Sequence, residues 1–108
     1  MNDSYTYLDD LAAEASIPKR GIQSQTLSDA DGVELVLFAM AAAERLSEHT
    51  SARPAIVHVL AGSGDLVVAG DAYRLSPGSW MRMRARTPHA ITAGDEGLVF
   101  ALYLLASS

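Results

Sequence analysis

The chain has 108 residues, a formal charge of −5 and no cysteine. A domain of this length buries roughly 65% of the surface its unfolded chain exposes, enough for one core and no second domain. The negative balance, with no basic stretch interleaved with aromatics, argues against nucleic acid as a partner. The absence of thiols excludes disulfides, zinc knuckles, thiolate nucleophiles and iron–sulfur ligation.

The first ten residues, MNDSYTYLDD, are acidic and have neither the positive nor the apolar region of a secretory leader. The longest strongly apolar run, residues 35–43, is nine residues long, against the ~20 of a membrane helix. A cytoplasmic protein with no membrane partner is expected. Within residues 7–15, Leu8, Leu11, Ala12 and Ala15 recur at helical spacing. Ser4 is available as a cap, and Asp9 and Asp10 lie near the positive end of the dipole. One short helix is expected there, ended by Pro18 and Gly21, so that residues 1–20 form a helix and arm and residues 21–108 a β domain.

Beyond Gly21 the chain becomes a series of short runs of Val, Ile, Leu and aromatics punctuated by Gly, Pro, Asp and Ser, the pattern of an all-β sandwich or barrel. Strands are expected at residues 22–26, 33–41, 45–47, 55–61, 65–69, 71–75, 80–83, 89–93 and 98–105. Gly70-Asp71 reads as a two-residue hairpin turn. The strands at 33–41 and 98–105 are apolar on both alternating faces, so something must cover their outer sides. The N-terminal helix can cover part, and a homodimer packing sheet on sheet accounts for the rest.

The chemistry-bearing residues are His49 and His89, which two hairpins deliver toward one interior. They lie in a pattern that resembles the two motifs of the cupin family, with His49 at the second histidine of the first motif, Gly62 at its closing glycine, Gly78 opening the second motif and His89 at the histidine of the second. Six motif positions differ: Ala41, Ser47, Ala55, Arg84, Arg86 and Ala93 stand where the family has glycine, histidine, glutamate, proline, glycine and asparagine. The resemblance spans residues 41–93 and implies a double-stranded β-helix, or jelly roll. It also implies a metal held by three histidines and a carboxylate, at positions occupied here by Ser47, His49, Ala55 and His89. Two ligands remain, His49 and His89, so a divalent ion such as Zn, Ni, Fe or Mn would be weakly held. No catalytic residue is identified.

Strand alternation places Arg45, Ser47 and His49 on one face and Glu44 and Glu48 on the other, which keeps both carboxylates away from His49. The same alternation turns Ala55, Val57 and Val59 inward and Ile56, His58 and Leu60 outward, so His58 belongs to the outer face or a dimer interface. Ser47 and Ala55 would line the ligand side of the site. Arg82 and Arg84, on one face of the run Trp80-Met81-Arg82-Met83-Arg84, would clamp a carboxylate or phosphate at its mouth, or else form a solvated face. The resemblance thus implies a small organic ligand in the barrel with incomplete metal coordination. The alternatives are a metal-dependent isomerase, cyclase or dioxygenase using His49, His89 and waters, and a structural dimerisation module if Phe38, Met40, Met81, Met83 and Phe100 fill the interior.

Overall fold

The computed structural model describes residues 4–106. Seven strands carry the fold: β1 (Ile22–Ala30), β2 (Val33–Met40), β3 (Arg45–His49), β4 (Ala55–Val68), β5 (Asp71–Leu75), β6 (Trp80–Met83) and β7 (His89–Leu105). All are antiparallel partners in one hydrogen-bonded sheet that β4 and β7 carry from end to end. The second half of β7 lies between β2 and the first half of β4, which also pairs with β6. The first half of β7 lies between β3 and the second half of β4, which also pairs with β5. Inward residues of both halves meet in one core: Met40, Val57, Leu98 and Phe100 from the first layer, and Leu66, Leu75 and Ile91 from the second. The sheet is therefore folded over on itself as a jelly roll.

The fold-over explains why seven strands stand where nine short ones are expected. Gly62, Gly64, Gly94 and Gly97 break the apolar pattern, yet the strands run through them, with register shifts between Val59 and Ala61 and between Gly62 and Gly64. These glycines turn the corner. Gly62 has φ +78°, and a methyl group there would collide with the carbonyl of Gly97, which is itself at φ +82°. Only glycine allows the two bent strands to approach this closely. Both tight hairpins place two residues at positive φ, Asp31-Gly32 and Ala69-Gly70, the pairing that matches strand twist. The second turn is therefore one residue earlier than Gly70-Asp71, with Val68 and Asp71 as the closing pair.

The expected N-terminal helix shrinks to a single 3-10 turn at Ala12–Glu14, whose N-cap is Leu11 and not Ser4. So short a segment cannot meet the cost of helix nucleation by itself, and it lies on the barrel in largely irregular form. Its apolar residues still do the covering. Ala15 packs on the outer face of β2 and β7 with Leu27 and Leu60, over Leu37, Ala39 and Val99. Those three are at most 4% exposed within a single chain, so the two-sided apolarity of β2 and β7 is satisfied there without a second copy. Among the described residues, no helix is long and apolar enough to cross a membrane.

Large side chains occupy much of the interior, the direction in which a purely structural module was expected, but a recess of about 460 Å³ lined by Val57, Leu66, Leu75 and Met81 stays open between β5 and β6. Phe38 and Phe100 stack with ring centroids 4.9 Å apart and planes at 4°, and Met40, Met81 and Met83 complete the packing around them. What space remains lies at the ends and edges of the roll.

Candidate functional site

His49 ends β3 and His89 begins β7, and the two are direct cross-strand partners. Their ring centroids are 4.2 Å apart with planes at 56°. Strict alternation breaks at one point in β3. Leu46 pairs with Ile91 and His49 with His89, so Ser47 and Glu48 together face Ala90 across a β-bulge. The extra residue brings Leu46 and His49 to one face, three positions apart, with His49 beside the buried His89 but itself exposed to solvent, and leaves the Ser47 side chain exposed and outside the site. Ser47 contributes only its carbonyl oxygen.

That carbonyl orients His49. Its Nδ1 donates to Ser47 O at 2.8 Å, and Nδ1 of His89 donates to Thr87 O at 2.8 Å. Each imidazole is tied to the backbone two residues before it, and a carbonyl can only accept. In the neutral ring the proton is thereby fixed on Nδ1 and the lone pair on Nε2. No described residue bonds either Nε2. Burial of His89 lowers its pKa below the ordinary value; the bond to Thr87 opposes this and the neighbouring His49 adds to it. His89 is accordingly a neutral Nε2 donor at physiological pH.

The two rings border a hollow of about 50 Å³, lined also by Ser51, Arg53, Ala55, Met83, Arg84 and Thr87. Ala55 is buried beside the histidines, at the inward position the spacing assigns it, and brings no donor. Arg84 follows β6 and lines the hollow, and its guanidinium forms no ion pair among the described residues. Arg82 does not join it. Arg82 lines a separate crevice between β5 and β6, so the two arginines do not form one clamp. His58 is half-buried on the outer face of β4, opposite Trp80 and Ala101, and takes no part in the site.

Sequence reasoning missed Ser51, Arg53 and Thr87. Arg53 is held by Glu34 Oε1 at 2.9 Å and by the carbonyls of Leu104 and Leu105, each at 3.1 Å. It ties the loop before β4 to the ends of β2 and β7 and so fixes one wall of the hollow. No local pattern announces a lone arginine before Pro54, and Thr87 acts through its backbone, for which residue type carries no signal. Among the described residues, no group of three or more His, Asp or Glu is placed to hold a metal. The donors present fit attachment through two imidazoles and do not complete the coordination implied by the resemblance.

A small antiparallel roll with paired histidines at one end defines a jelly-roll barrel of the cupin class. The cupin domain family matches residues 36–104, and the chain belongs to that family. Comparison with curated proteins returns no match. Among solved structures the fold is similar to a conserved protein of unknown function from Streptococcus pyogenes, with TM-score 0.82 and 24% identity over 100% of this chain and 94% of that one. It is similar to a cupin superfamily protein from Desulfitobacterium hafniense, with TM-score 0.81 and 23% identity over 90% and 88%. It also resembles a DMSP lyase from Ruegeria pomeroyi, with TM-score 0.74 and 19% identity over 80% of this chain and 47% of that one. At these identities the likeness establishes the fold alone.

Proposed function

We propose that this cupin domain is a binding module for a small oxygen-donor ligand at the His49–His89 end of the barrel. A divalent ion joins only when the ligand supplies the remaining donors. The observation that carries this is the matched pair of Nδ1 bonds, which leaves both Nε2 atoms without a partner among the described residues beside one hollow. Two imidazoles hold an ion weakly by themselves. A chelating carboxylate would fill the open positions and place its charge beside Arg84. The hollow has room for an ion and a few water-sized groups, so a larger ligand would extend outward past Arg84.

The rival reading is turnover at an ion held by the same histidines and waters. Calorimetry and native mass spectrometry with Ni²⁺, with and without oxalate, separate the two. Weak binding of Ni²⁺ alone, tightened at least tenfold by oxalate and lost in His49→Ala and His89→Ala, is expected. One ion per chain held tightly through dialysis against a chelator would overturn the binding-module reading in favour of a metal enzyme.

A further inference from the structure

The recess between β5 and β6 holds about 460 Å³, within the range of small-molecule sites, roughly 300–1,000 Å³. Strand register determines which side chains reach it. Val57 and Met81 are cross-strand partners that pack in the core, as do Leu66, Val68 and Leu75, and all five line the recess. On β5, Tyr73 pairs with Leu66 and Asp71 with Val68. Direct cross-strand partners stand on the same face of a sheet, so Tyr73 and Asp71 belong to the inward side, where both line the recess. Tyr73 is nonetheless 56% exposed, because β5 is the edge of its layer and nothing in the chain closes the mouth over it.

Charge on that face narrows the occupant. Arg82 pairs with the outward Ile56, and Arg74 pairs with Asp65 and is engaged by it at 3.4 Å, so the register turns both guanidinium groups to the outer side. Of the charged residues along the recess, Asp71 alone shares the face of the apolar lining, and it forms no ion pair among the described residues. A carboxylate beside an apolar floor favours a cation with N–H groups to donate, and the face of a phenol ring adds to the attraction. We infer that the recess is a second binding site, for a small aryl or alkyl ammonium compound whose hydrocarbon packs on Val57, Leu66, Leu75 and Met81 and whose ammonium group meets Asp71 beside the Tyr73 ring. It shares no lining residue with the histidine hollow and does not depend on ion binding there.

Met81 lines the recess, so its methyl resonance in protein isotope-labelled at the methionine methyl groups, assigned with Met81→Leu, reports occupancy directly. The full chain is titrated at pH 7 with 2-phenylethylamine as the cation, 2-phenylethanol as its neutral counterpart and 3-phenylpropionate as the anion. Saturable movement of the Met81 signal by 2-phenylethylamine at about 1 mM is expected, with affinity about fivefold above the alcohol, the scale of a rim-exposed ion pair, and with the anion weaker than both. Asp71→Asn should abolish the preference over the alcohol without changing the alcohol's own affinity. Tyr73→Ala should weaken amine and alcohol alike, and His49→Ala neither. Equal affinity for amine and alcohol, an anion bound as well as the amine, no saturation of the Met81 signal, or a signal that moves with protein concentration alone, as a second copy in the recess would cause, overturns the proposal. Loss of Ni²⁺–oxalate binding with this profile intact would overturn only the reading of the histidine end.

Discussion

Two glycines with nearly the same backbone conformation should respond very differently to one methyl group. Gly62, at φ +78°, sits at the corner where a Cβ would strike the Gly97 carbonyl, while Gly70, at φ +85°, has nothing within 4 Å of the corresponding position. Alanine at either site bears the left-handed strain, about 1–2 kcal/mol. At Gly62 the methyl must also push β4 away from β7, and forced overpacking of this kind costs about 1–3 kcal/mol more. Gly62→Ala should therefore be destabilised by about 2–5 kcal/mol and Gly70→Ala by about 1–2. Urea denaturation followed by far-ultraviolet circular dichroism measures both, and an unchanged slope would show that the variants unfold between the same states. If the two lost equal stability, backbone conformation alone would set the requirement, and the account of the corner as a close approach of two strands would be wrong.

Three further outcomes follow from the site. The depressed pKa of His89 means that the unfolded chain binds its proton more readily. The stability associated with His89 is thus complete above the unfolded value of 6.5 and declines as pH falls through the folded one; denaturation midpoints between pH 7 and 5 should show a smaller decline in His89→Gln than in the parent. Arg53→Met breaks bonds to Glu34 and to the carbonyls of Leu104 and Leu105, and a thermal melt should show a loss of about 1–3 kcal/mol; no loss would mean the clamp is idle. Ala55→Glu places a carboxylate beside both imidazoles, so Ni²⁺ affinity measured by calorimetry should rise at least tenfold, while the metal-free protein loses stability from a buried charge.

The all-β character was legible in strand periodicity, and the jelly roll in the resemblance of His49, Gly62, Gly78 and His89 to the two cupin motifs. Ala55, Val57 and Val59 do face the core, and Ile56, His58 and Leu60 do not. What sequence could not supply was the difference between a glycine that ends a strand and one that bends it, since Gly62 and Gly97 matter through their approach to each other across the sheet. The bulge at Ser47-Glu48 was hidden for a similar reason: it shows only in the pairing of β3 with β7. The short amphipathic pattern at residues 7–15 marked a half-buried face, with Leu8, Leu11, Ala12 and Ala15 all partly covered, but helix formation also needs length. The separation of Arg82 from Arg84 reflects the end of β6 at Met83, beyond which alternation no longer governs side-chain direction.

The heavy packing around Phe38 and Phe100 bears directly on where recognition can occur. In a barrel with an empty centre, specificity comes from the shape of an enclosed cavity; here Phe38, Phe100 and the three methionines occupy that volume. Under the proposed reading, contact with a ligand falls at the rim, where Ser51 and Arg84 border the histidine hollow. A rim site excludes water poorly, so its charges act through a higher dielectric and each contributes less than it would in an enclosed cavity. Chemistry that depends on stabilising a developing charge is least favoured in such a setting, whereas reversible binding tolerates it. The absence of metal-ligating side chains at Ser47 and Ala55 and the extensive packing of the core are the two features on which the proposed reading of a ligand held at the edge rests.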